Sequence, residues 1–97
     1  MKRLLLSIVL NFTLLVGVFA QKTVTGTVTD TKGEPLYGVT ISVKNGKHHA
    51  VTDQNGHYSL QVDNEAAVLV FRFIGMEPFQ ATAKGTTLNA KLKEQTT

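Results

Sequence analysis

From Lys22 onward, apolar and polar side chains alternate with a period of two rather than 3.6. Val24, Gly26 and Val28 alternate with threonines in KTVTGTVTD, and Val39, Ile41 and Val43 alternate with Thr40 and Ser42. The same rhythm returns at Tyr58, Leu60 and Val62, at Leu69, Phe71 and Phe73, and at Leu88, Ala90 and Leu92. Strict alternation marks extended strands with one face in a core. Weaker alternation near His48–Thr52 and Phe79–Ala83 brings the expected number of strands to seven. No window after residue 20 carries a helical pattern, so the chain is expected to be all-β.

Turn signals punctuate these segments. Thr-Asp-x-x-Gly occurs twice, as Thr29-Asp30-Thr31-Lys32-Gly33 and as Thr52-Asp53-Gln54-Asn55-Gly56. Aspartate at the start of such a turn accepts hydrogen bonds from backbone N–H groups just ahead of it, and the closing glycine takes positive φ without steric cost. The second copy, continued as TDQNGHYSL, therefore reads as a hairpin, with Tyr58 and Leu60 pointing inward after it. Asp63-Asn64-Glu65 reads as a further turn. Gly75 closes the most hydrophobic strand, AVLVFRFI, in which Arg72 is a charge that discourages aggregation. Short strands with regularly spaced turns predict an antiparallel sandwich or barrel.

The first twenty residues differ. Lys2 and Arg3 precede a mostly apolar run, Leu4–Val18, and Val18-Phe19-Ala20 offers a small residue before Gln21. That is the build of a secretory signal peptide over residues 1–20, leaving one domain over residues 21–97. A retained anchor fits less well, because the run is shorter than the ~20 residues a spanning helix needs and Asn11 interrupts it. With the leader removed, 8 basic residues face 7 acidic ones, a net +1. Nucleic-acid binding thereby loses its electrostatic support. The chain has no cysteine, so packing alone must hold a small exported domain together, which favours a regular sandwich.

Candidate chemistry is sparse. The metal suspects are His48, His49 and His57. Adjacent histidines in a strand point to opposite faces, and a zinc site wants three or four ligands, so solvated histidines are the expected state and no metal or cofactor is predicted. Asp53-Gln54-Asn55-Gly56 is too short for a calcium loop. Ser42 and Ser59 sit mid-strand, there is no Gly-x-Ser-x-Gly, and no glycine-rich loop opens a helix. The chain is therefore not expected to be an enzyme. A carbohydrate platform is the fairer rival, with Tyr37 and Phe79 as ligand contacts. Free edges of the first and last strands could also pair with a partner.

The string GTVTDTKGEPLYGVTISV, then VTDQNGHYSL, then VLVFRFIGM resembles the carboxypeptidase-regulatory-like domain. The resemblance covers about Lys22–Lys93. It implies a transthyretin-like, seven-stranded antiparallel Greek-key β-sandwich. The positions that match the family's pattern are Gly26, Asp30, Gly33, Pro35, Leu36, Gly38, Val39, Asp53, Gly56, Tyr58, Leu60, Ile74 and Gly75. By the resemblance all are fold positions and none is catalytic. Lys47-His48-His49-Ala50 stands where a Gly/Thr-rich hairpin is common, and Met76 where an aromatic is frequent. In Bacteroidetes the family commonly follows the signal peptide of SusC-type TonB-dependent outer-membrane receptors. The resemblance thus implies export and a periplasmic or outer-membrane protein partner. A stand-alone glycan- or peptide-binding module and a truncated receptor piece are the alternatives.

Overall fold

The computed structural model describes residues 21–96, and the leader expected over residues 1–20 lies outside the described residues. Seven strands follow one another: β1 (Lys22–Thr29), β2 (Thr40–Val43), β3 (His49–Val51), β4 (His57–Val62), β5 (Val68–Arg72), β6 (Phe79–Thr82) and β7 (Ala90–Lys91). They form two sheets, β4-β1-β7 and β3-β2-β5-β6. The expected sandwich is present, and three features depart from the sequence reading. The β1–β7 ladder is parallel, Val28 lying beside Ala90 and Thr29 beside Lys91, while the other ladders between strands are antiparallel. β7 is two residues long. And β3 and β4 belong to different sheets, so TDQNGHYSL turns the chain from one sheet to the other instead of closing a hairpin between paired strands. Alternation reports which face is buried; it carries no information about the direction or identity of the neighbouring strand.

Burial follows the pleat. β4 is the cleanest case, with His57, Ser59 and Gln61 exposed and Tyr58, Leu60 and Val62 buried. Val24 and Val28 of β1, Ile41 of β2, Leu69 and Phe71 of β5 and Leu92 fill the space between the sheets. The Tyr58 ring meets Phe71 edge-on at 5.6 Å, and Phe71 meets Phe79 at 5.8 Å. Phe71 thus sits at the middle of an aromatic row joining the sheets, a geometry that adds to area burial. Lys22 closes one end: its Nζ donates to the carbonyls of Glu65 (3.1 Å) and Ala83 (3.0 Å).

The join between β1 and the last segment explains Gly26. Thr25 N–H donates to the Thr86 carbonyl (2.9 Å), and Leu88 N–H to the Thr25 carbonyl (2.9 Å). A regular parallel ladder would next send Thr27 N–H to the Leu88 carbonyl. Instead the Leu88 carbonyl turns inward over Gly26 and accepts the Tyr58 hydroxyl, while the Asn89 side-chain oxygen takes Thr27 N–H at 2.9 Å. A Cβ on residue 26 would lie 1.9 Å from the Leu88 oxygen and 2.9 Å from the Tyr58 ring. Glycine is required here by close approach, not by φ.

Two outcomes follow from this join. Gly26→Ala is expected to destabilise the domain by about 3 kcal/mol, at the upper end of the cost of forcing atoms into a packed interior. Gly33→Ala, with φ +85° but open space around it, should cost only about 1 kcal/mol. Urea midpoints of the two variants check this, and equal losses would contradict it. Tyr58→Phe should cost about 1–2 kcal/mol by orphaning the Leu88 carbonyl. Burial pushes the Tyr58 hydroxyl up from 10.0 to about 12, so folding favours the neutral phenol. That contribution is complete below pH 10 and is lost as pH rises from 10 toward 12. The Phe variant should lack this alkaline step in a pH-stability profile.

Candidate functional site

The histidines do not gather. His48 lies in the β2–β3 turn with its Nε2 3.3 Å from Asp63 Oδ1, both side chains partly exposed. His49 is exposed on β3 opposite Ser42, and His57 opens β4 opposite Thr27. Asp63 follows the last residue of β4, so the His48 contact lies roughly 20 Å along that extended strand from His57. The two histidine positions therefore mark opposite ends of the sandwich. Among the described residues no three His, Asp or Glu side chains could hold a metal ion together.

Both Thr-Asp-x-x-Gly turns use one set of bonds. Asp30 Oδ1 accepts from Lys32 N–H and Glu34 N–H, each at 2.9 Å. Asp53 Oδ1 accepts from Asn55 N–H (2.9 Å) and His57 N–H (3.0 Å). Gly33 N–H and Gly56 N–H donate back to the aspartate carbonyls at 3.1 and 2.9 Å, and both glycines have positive φ. Asp53 is thus occupied as an acceptor for its own turn. The His57 N–H bond, then the Asn55 one, hold its carboxyl below the usual carboxylate range.

The two turns also touch. A Cβ at Gly56 would meet the Val28 carbonyl at 2.6 Å and Pro35 at 3.0 Å, and Pro35 pairs with Thr29. Beside them the buried Thr52 hydroxyl accepts Val39 N–H (2.9 Å) and donates to the Leu36 carbonyl (2.6 Å). Sequence reading passed over Thr52, although a threonine that opens the repeated turn was a signal for it. Gly38, at φ +87°, lets the chain swing from Leu36 into β2.

A surface depression of about 610 Å³ opens at the same end. Gly38 and Thr40 form one side, Phe73, Met76 and Pro78 the other, with Arg72, Ile74, Gly75 and Gln95 around them. Gly75 has φ +79°, and its carbonyl accepts Gln95 N–H at 3.0 Å, which ties the closing segment to the β5–β6 loop. Tyr37 is exposed beside this cleft. Phe79, the other expected ligand contact, is half-buried and packed on the core through Phe71, which leaves less of its ring open than that of Tyr37. A second, smaller depression of about 390 Å³ lies over the β1–β4 sheet, where Thr25, Thr27, Thr87 and Asn89 surround Gly26, His57 and Tyr58.

The turn chemistry has a pH signature. Because the folded carboxyl of Asp53 is depressed, its contribution is present above the unfolded carboxylate value and lost as pH falls through the folded one. Asp53→Asn should lower thermal stability at neutral pH, and the gap to the parent should close below the ordinary carboxylate range, near pH 4. A gap independent of pH, followed by thermal melts, would contradict the assignment.

Comparisons with known proteins agree with this architecture. The family model for the CarboxypepD_reg-like domain matches residues 16–97. The chain is 34% identical over 97 residues, 99% of its length, to the TonB-dependent receptor SusC of Bacteroides thetaiotaomicron. It is 37% identical over 79 residues, 76% of its length, to a TonB-dependent receptor of Formosa agariphila. It spans only 10% and 8% of those two relatives. Among solved structures, two cohesin–X-module–dockerin complexes of Acetivibrio cellulolyticus superpose with TM-scores of 0.55 and 0.56 at 18% and 19% identity. Each covers 74% of this chain, which covers 51% of theirs, and the likeness is one of fold. With its two turns, its Gly26–Tyr58 join and its match over residues 16–97, the chain belongs to the CarboxypepD_reg-like domain family.

Proposed function

We propose that the chain is an exported, non-enzymatic interaction domain that works in the periplasm, through protein–protein contact, with TonB-dependent uptake across the outer membrane. The observation that carries this reading is the similarity to SusC over 99% of the chain, which reaches beyond the turns to the whole domain. The site geometry supports it from the other side. The polar side chains Asp30, Asp53, Thr52 and Tyr58 are bound to the domain's own backbone. What remains free is surface: an apolar-rimmed cleft on one sheet and a hydroxyl-rich face on the other.

The test is a fractionation and capture experiment in the native host. A C-terminally tagged full chain is expected in the periplasmic or outer-membrane fraction. Mild cross-linking should retain a TonB-dependent receptor or an energy-transducing component with it. A folded chain that stays cytoplasmic, or that is exported and retains no component of the uptake apparatus, would overturn the proposal.

A further inference from the structure

The large exposed hydrophobic side chains of the described residues are Tyr37, Val51 and Ile74, with 65%, 56% and 90% of their surface open. Single exposed apolar residues are ordinary and need no explanation. These three, however, surround one feature. Ile74 lines the 610 Å³ cleft, Tyr37 precedes its wall residue Gly38, and Val51 is the cross-strand neighbour of its wall residue Thr40. Elsewhere the exposed outer-face positions Thr23, Thr25, Ser59, Gln61 and Gln80 are polar, and Val70, which shares the outer face with Ser42 and Gln80, is buried.

Three features limit what the cleft can hold. Half-buried Phe73 and Met76 are among its lining residues, so it offers apolar surface backed by the core. Gly38 and Gly75 leave bare backbone on two of its sides, where another main chain can approach closely. Arg72 is the one charged residue lining it. No carboxylate lies within ion-pair distance of Arg72 among the described residues; the pair found there is His48–Asp63 at the far end. A guanidinium beside apolar surface complements a carboxylate carried next to an apolar side chain.

We propose that the Phe73–Met76 cleft docks an extended segment of a partner protein, with an apolar side chain on that apolar surface and an adjacent Asp or Glu on Arg72. This rests on the interaction-domain reading above and assigns it a surface. Tyr37, Val51 and Ile74 form the rim that excludes water around the anchor.

The experiment places the photo-crosslinking residue p-benzoylphenylalanine at position 74 of the full chain in the native host, with position 23, on the outer face of β1, as the control. Irradiation should give a protein adduct from position 74 and none from position 23. Mass spectrometry of the adduct should identify a segment with an acidic residue next to an apolar one. Arg72→Glu should lower the adduct yield about tenfold, the scale of exchanging an ion pair for a like-charge contact, while Arg72→Lys should retain most of it. Arg72 is exposed, so the core is untouched by either change. Adducts to phospholipid, to a second copy of this chain or to a segment without acidic residues would overturn the proposal, as would no adduct or a yield indifferent to Arg72→Glu. Receptor components captured only through position 23 would remove the cleft while leaving the uptake reading. An Arg72-dependent acidic segment from a protein outside that apparatus would do the reverse.

Discussion

The sandwich depends on how its last segment closes against its first strand. β7 contributes two residues, too few for a ladder to hold alone. Backbone bonds from Thr25, Leu88 and Leu92 make part of the closure, and two side chains complete it: the Tyr58 hydroxyl holds the inward-turned Leu88 carbonyl, and Asn89 replaces the ladder acceptor lost to Thr27. Gly26 makes room for both. Tyr58 is simultaneously a core residue against Phe71, so one side chain connects the aromatic row between the sheets to the edge of β1. With no disulfide to secure the edge, a displaced Leu88 carbonyl would open the sheet and orphan buried polar groups together, which links local fit to global stability.

Next to this join, the end of the domain where β1 leaves and β4 enters is organised by the two aspartate turns and Thr52. They draw the β1–β2 connection and the β3–β4 connection together, through Gly56 against Pro35 and through Thr52 to Leu36 and Val39. This fixes the backbone of Leu36–Val39, the ground on which Tyr37 and Gly38 present one wall of the cleft. The other wall hangs on the β5–β6 loop, itself fastened to the closing segment through Gly75 and Gln95. A surface composed of two loops is thus held by hydrogen bonds that originate in turn chemistry. That is how a small domain can offer a defined binding surface without a large core.

The histidine-rich look of the sequence dissolves for a geometric reason. His48 and His57 are nine residues apart in sequence, yet the chain changes sheets between them, and His48 ends beside Asp63. Proximity along the chain was a poor guide because the turn at Asp53 is a corner between layers. Asp53 and Asp30, by contrast, were legible as turn residues, since the same local bonds recur wherever the motif occurs.

The amino-acid sequence alone determined the all-β class, the approximate extent of seven strands and the buried face of each. Period-two alternation and aspartate–glycine turns are local properties that any sandwich must respect. It marked Tyr58 as inward-facing through alternation, and Gly26 and Ile74 through the family pattern without a physical reason for them. Only the tertiary structure decided which strands are neighbours, that β7 lies parallel to β1, that Phe79 turns to the core and that Tyr37, Val51 and Ile74 surround one cleft. Those outcomes depend on contacts between segments far apart in the chain, such as Leu88 over Gly26 and Gln95 beside Gly75. The pattern of a single strand does not encode its distant partner.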